Sequence, residues 1–307
     1  MKRWLILIAA VLVWPASAFA QNPQPCTLQQ AASLPITTDP DGRVTVPASV
    51  DGRAVHLLVD TGGTITGIDS SIADELKMPR MRGPTQVMAG NVMMNEIAIA
   101  EKLQLGQQHA SGFTLLVMPT QTLSPNDDGL VGGSVLSKYD VEFDFAHAKV
   151  NLFSQDHCPG AVVYWTKSAY AAVPMKIDRE WHVTVPVLIN GKQVTAVIDS
   201  GAAESVMPLE VAQLLFGFDR KDPKLKAVGA AAVNNVSRTQ IFRYPFSTIT
   251  LEGVTVNNPE IDLVPQNAMF SMPGGPELVL GIGILRQLHV YIAYKEQVLY
   301  ATPAEAQ

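Results

Sequence analysis

The sequence predicts a mainly β protein made of two copies of one folding unit, with only short helices between strands. Three observations predict it. The segment VTVPASVDG at 44–52 recurs 139 residues later as VTVPVLING at 183–191, and LLVDTGGT at 57–64 falls on AVIDSGAA at 196–203 with the same offset. A second pair of segments, 129–153 and 279–300, matches at an offset of 149, so that Gly132 falls on Gly281, Leu136 on Leu285, Val141 on Val290 and Phe143 on Ile292. Constant offsets on either side of one ten-residue insertion are the trace of a duplicated unit. The third observation is local: β-branched runs punctuated by Pro, Gly and Asn, with no heptad or long helical period.

Each element follows in chain order. Residues 1–20 carry Lys2 and Arg3, an apolar run from Trp4 to about Trp14, and the small-x-small triplet Ala18-Phe19-Ala20. That pattern predicts a signal peptide cleaved after Ala20, because the apolar run is short of the roughly 20 residues a membrane span needs. Val44 to Val50 and Val183 to Ile189 predict strands that end at Asp51-Gly52 and Asn190-Gly191 and turn back as hairpins toward Asp60 and Asp199. After each aspartate, 68–78 and 208–216 suit short helices with acidic first turns. Further strands are expected at 97–105, 113–118, 139–145, 149–153, 240–251, 260–264, 278–282 and 289–300. The first unit then spans 21–153, the second 173–307, and 154–172 connects them.

Charge and cysteine content narrow the setting. Without Lys2 and Arg3, the 22 basic residues become 20 against 28 acidic ones, a balance of −8 that argues against nucleic acid or an anionic membrane as partner. Cys26 and Cys158 are the two cysteines. In an oxidising compartment such a pair forms one disulfide, which would close a loop of 132 residues and contribute up to about 4–5 kcal/mol; two free thiols are the alternative. The six histidines fall in no metal-ligand spacing, and no metal or other cofactor is expected. Ser134 lacks the GxSxG frame and a paired histidine, so it is not read as a nucleophile.

The chemistry rests on Asp60-Thr61-Gly62 and Asp199-Ser200-Gly201. One such tripeptide is commonly a turn, in which Asp and Thr bond nearby amides and Gly supplies φ > 0. Here it occurs twice, at equivalent places, each after an apolar strand and each followed by an apolar-apolar-Gly segment. On LLVDTGG with GLVGGSVL, and AVIDSGA with LVLGIGIL, the chain resembles the retropepsin-type aspartic peptidases, in a bacterial exported branch, with two units fused as in pepsin-like enzymes. The resemblance covers most of 40–153 and 180–301. It implies two retropepsin-like double-psi β-barrel lobes related by pseudo-twofold symmetry, with a cleft between them.

It also implies roles. Asp60 and Asp199 become the catalytic pair, Thr61 and Ser200 bond across the lobes, and Gly62 and Gly201 let backbone pass close to the carboxylates. A substrate-covering flap is implied at Met88-Ala89-Gly90-Asn91, with a counterpart at Val228-Gly229-Ala230-Ala231; neither carries the tyrosine of pepsin-like flaps. Gly63 departs from the Ala or Ser frequent at that place, whereas Ala202 keeps it. Met88, Met93, Met94 and Met118 read either as an adaptable substrate groove or as core filler. The implied activity is peptide-bond hydrolysis of a peptide or protein substrate, in a periplasmic or secreted protein that needs no second subunit and is expected as a monomer. A peptide-binding module with little turnover is the alternative, since fold alone does not guarantee chemistry.

Overall fold

The computed structural model describes residues 27–89, 92–233, 237–265 and 275–304. The expected signal peptide, Cys26 and Gly90 lie outside the described residues. Each unit contains the expected hairpin. Strand Val44–Val50 pairs antiparallel with Arg53–Val59, and Val183–Ile189 pairs with Lys192–Ile198. Both turns take positive φ at both central residues: 50° and 86° at Asp51-Gly52, 47° and 78° at Asn190-Gly191. That geometry matches the right-handed twist of the flanking strands, which is why Asp-Gly and Asn-Gly stand there.

The second strand of each hairpin is then clamped by a parallel partner from far along the chain. Leu57, Leu58 and Val59 pair with Gly129, Leu130 and Val131. Ala196, Val197 and Ile198 pair with Leu278, Val279 and Leu280. Being bonded on both edges, these strands bury nearly every residue near the aspartate, including Leu57 and Ile198. Burying one such side chain stabilises the fold by about 1.5–3 kcal/mol. Each apolar-apolar-Gly segment of the sequence is thus the strand that runs beside an aspartate.

The helices are shorter than expected. The first spans Ser70–Glu75 and has no acidic residue in its first turn; the acid is one position earlier, where Asp69 caps the helix by accepting from Ser71 N. The second spans Leu209–Phe216, carries Glu210 in its first turn and stops at Gly217 with φ 73°. Two single-turn helices, Gly133–Leu136 and Ile282–Leu285, follow the glycines Gly132 and Gly281. The strand expected at 240–251 is two strands, Ser237–Arg243 and Thr248–Leu251, and that at 289–300 is a hairpin of Leu288–Ala293 and Val298–Pro303. The long hairpin of Val92–Leu105 and Gln108–Met118 gives the first lobe a closed ring, because Ser49 and Val50 pair back onto Gln104 and Leu103.

A six-stranded sheet joins the lobes. Its order is Gln30–Pro35, Lys149–Phe153, Asp140–Asp144, Leu288–Ala293, Val298–Pro303 and Ala171–Pro174. The two central strands come from different lobes and pair as Val141 with Ile292, Glu142 with Tyr291 and Phe143 with Val290. Val141 and Phe143 are the sequence equivalents of Val290 and Ile292, so a pseudo-twofold axis passes between Glu142 and Tyr291. Glu142 is fully buried there and is held by His289 Nε2 at 3.0 Å and Tyr164 Oη at 2.8 Å. Trp165 of the connector stacks on His289 with ring centres 4.3 Å apart, so the connector covers this network.

Candidate active site

Asp60 and Asp199 each stand one residue beyond a buried strand, at the start of a tight loop. The Asp60 amide donates to Val131 O at 3.0 Å, and the Asp199 amide to Leu280 O at 3.1 Å. Each carboxylate also turns back on its own loop. Asp60 Oδ1 accepts from Gly62 N at 3.0 Å; Asp199 Oδ1 accepts from Gly201 N and Ala202 N, both at 3.0 Å.

The loops are locked to each other by a reciprocal set of hydrogen bonds. Thr61 Oγ1 donates to Ile198 O at 2.8 Å and accepts from Ser200 N at 3.0 Å. Ser200 Oγ donates to Val59 O at 2.6 Å and accepts from Thr61 N at 3.1 Å. Thr61 and Ser200 are both buried, so each bond forms where water cannot compete. A short hydroxyl side chain is needed at both positions because each must donate to one strand and accept from the opposing loop.

The glycines serve the opposite lobe. A Cβ on Gly62 would lie 2.5 and 2.6 Å from the two Asp199 carboxylate oxygens, and one on Gly201 would lie 2.5 Å from Asp60 Cγ. Neither could carry a side chain without pushing the partner's carboxylate away. Gly63 is constrained too, since a Cβ there would meet Asp60 Oδ2 at 2.6 Å. Its glycine, a departure from the Ala or Ser frequent there, therefore leaves room for the carboxylate.

The two carboxyl groups face each other across the lobe boundary, each held against the other lobe's glycine. Part of their surface stays accessible, yet protein surrounds them closely. Loss of hydration is the main cause that pushes the Asp60 pKa up to about 8, with repulsion from Asp199 second and the Gly62 and Gly63 amides opposing. Asp199 is also raised, again chiefly by loss of hydration. Two carboxylates in contact cannot both ionise cheaply, so the pair holds one proton between them over a wide pH range.

Two supporting residues lie outside the sequence-based expectations. Thr66 Oγ1 accepts from Gly132 N at 3.2 Å and from Ser134 Oγ at 3.0 Å, and its equivalent Ser205 accepts from Gly281 N at 3.0 Å. They tie each aspartate loop to the glycine segment beside it. Their shared 139-residue offset is the signal that could have found them. Ser134 is thus a structural hydroxyl that also accepts from Thr66 N.

The residues expected to form flaps lie on two hairpins. Met88 and Ala89 end the strand Arg80–Ala89, which pairs with Val92–Leu105. Val228, Gly229 and Ala230 lie within the strand Lys226–Val233, which pairs with Ser237–Arg243. Met94 and Met118 pack with Leu58, Leu116 and Leu130 beneath the first hairpin, as core filler, whereas Met93 is exposed.

A family model described as aspartyl protease matches residues 46–135 and 185–284, one match in each lobe. No curated relative matches the sequence. Among solved structures, basic 7S globulin from soybean superposes with a TM-score of 0.54 at 13% identity, covering 90% of this chain and 97% of that one. At that identity the likeness shows a common two-lobed β fold.

Proposed function

We propose a function from one established premise: this chain belongs to the aspartyl protease family. It is an endopeptidase that hydrolyses peptide bonds with water activated between Asp60 and Asp199. The observation that carries the reading is the crossed contact of the pair, in which each lobe's glycine makes room for the other lobe's carboxylate.

The reaction follows from one shared proton. The ionised carboxylate accepts a proton from water as the oxygen forms a bond to the scissile carbonyl carbon, while the protonated carboxyl donates to the carbonyl oxygen. The tetrahedral product then breaks its C–N bond as a proton passes to the leaving amine nitrogen. No fixed order of roles is assigned, because the proton belongs to the pair. Thr61 and Ser200 keep the carboxylates in place through both steps, so that little reorganisation is needed as charge moves.

The setting is part of the proposal. Residues 1–20 direct export, and Cys26 and Cys158 form a disulfide that ties the N-terminus of the mature chain to the connector. Cys158 is not a free thiol. Mass measurement of the exported protein before and after reduction tests both points.

Incubating the mature protein with a diverse peptide mixture from pH 3 to 8 tests the activity. Cleavage that disappears in Asp60→Asn and in Asp199→Asn is expected. Peptides retained by the wild-type protein but never cut would make it a binding module instead.

A further inference from the structure

A pseudo-symmetric pair of carboxylates gives a peptide no reason to lie in one direction, so something near it must break the symmetry. The short turns that precede each hairpin do so. In the first lobe, Gly42 N donates to Asp39 O at 2.9 Å and Arg43 N to Asp39 Oδ1 at 2.8 Å. In the second, at the same offset, Trp181 N donates to Asp178 O at 3.2 Å and His182 N to Asp178 Oδ1 at 3.0 Å. The turns share one backbone shape, with φ 82° at Gly42 and 71° at Trp181.

Glycine suits that conformation and a bulky residue does not. Burial does not compensate, because Trp181 is 43% exposed. The indole is nevertheless received by a fitted neighbour. A Cβ on Gly133 would meet Trp181 Cβ at 2.5 Å and Trp181 Cγ at 3.1 Å, so the glycine makes room for it. Gly133 adjoins the first catalytic loop, its amide donating to Gly63 O at 2.7 Å. The turn of the second lobe therefore packs against the segment that adjoins the Asp60 loop of the first. The equivalent position at Gly42 offers no side chain; there Arg286 of the opposite lobe donates to the Gly42 carbonyl at 2.8 Å.

We infer that Trp181 forms an apolar wall at one end of the cleft, which takes an apolar or aromatic side chain of the peptide and, unmatched at Gly42, fixes the direction in which the peptide lies. The inference rests on the endopeptidase reading and deepens it. An indole held by a rigid turn loses little freedom when a substrate side chain packs on it, which makes it an effective anchor. It is a specificity residue and takes no part in the bond chemistry.

Two variants test it in the full mature protein. Trp181→Gly places the residue that favours this backbone, so its Tm should hold or rise, and Trp181→Phe restores an aromatic face. The probes are the peptide mixture, read for the residues flanking each cut, and a statine-containing apolar hexapeptide, read for affinity by calorimetry. Trp181→Gly should raise KM for the preferred apolar peptides and weaken the hexapeptide, each by about tenfold, while Trp181→Phe recovers most of the loss. A loss of preference at one flanking position alone would identify the subsite. Unchanged cleavage sites and unchanged hexapeptide affinity in Trp181→Gly would overturn the inference with the endopeptidase reading intact. A wild-type protein that neither cuts nor binds would overturn that reading and the inference with it.

Discussion

The two lobes share a centre and differ at the margins. At the centre, Thr61 and Ser200 exchange the same bonds in both directions, and Val141 with Ile292 and Phe143 with Val290 mirror each other across the axis. At the margins, the first lobe runs Val92–Leu105 and Gln108–Met118 as unbroken strands. The second breaks the equivalent path into Ser237–Arg243 and Thr248–Leu251, then Val254–Asn257 and Ile261–Val264. Its helix is also longer, 8 residues against 6. The difference teaches which contacts need two-fold symmetry. A bond that crosses the axis constrains both copies at once, whereas a hairpin that packs only on its own lobe is free to change length.

The largest expected effect tests the symmetric centre. Asp60→Asn and Asp199→Asn should each lower kcat by about a thousandfold or more, and to a similar extent, because each lobe supplies one half of one device. A tenfold gap between the two would mean that one carboxylate works largely alone.

Gly63 and Ala202 offer an asymmetric test next. Gly63→Ala places a Cβ 2.6 Å from Asp60 Oδ2 and must displace the carboxylate, so kcat should fall by about a hundredfold, as small misplacements at a reacting centre do. Ala202→Gly removes a methyl group from the other loop and should cost far less. Equal losses, measured as kcat on one peptide, would show that the two loops are interchangeable after all.

Thr61→Ala and Ser200→Ala each strip a buried donor and acceptor from the crossing set. Each should lower the unfolding free energy in urea by about 1–3 kcal/mol. The double variant should cost less than the sum, since the four bonds hold one pair of loops together and losing either hydroxyl's two already loosens the other's. Strict additivity would deny the coupling between lobes.

The last effect concerns stability against pH. The Asp60 pKa is raised to about 8 in the folded chain against about 3.9 when unfolded, so its neutral form is favoured by folding. That contribution is complete below about pH 4 and is lost as pH rises through about 8. Asn cannot ionise, so Asp60→Asn should gain Tm relative to the wild type between pH 4 and pH 8, by about 2–4 °C for each kcal/mol recovered. A gap that stays constant across that range would show that burial does not hold the proton.

Much of this site is legible in the linear chain. Asp60, Asp199 and their Thr/Ser-Gly neighbours stand out because duplication wrote them twice. Asp51-Gly52 and Asn190-Gly191 mark their turns because positive φ at two successive residues restricts the choice of side chain. The strands Arg80–Ala89 and Lys226–Val233 are not legible in this way, since polar residues and glycines blur their alternation. Asp69 falls inside the helical pattern of 68–78 yet serves as the cap, a small shift of boundary in a short element.

By itself, then, the sequence determined the duplicated unit, the hairpin leading to each aspartate and the identity of the residues able to carry the chemistry. Those are local matters, set by side-chain period, turn conformation and the internal repeat. Only the tertiary structure decided that Gly62 makes room for Asp199 and Gly201 for Asp60, that Gly133 yields to Trp181, and that Glu142 lies beside Tyr291 on the axis. Such contacts join residues far apart along the chain, and steric room between them exists only once both lobes have folded and met.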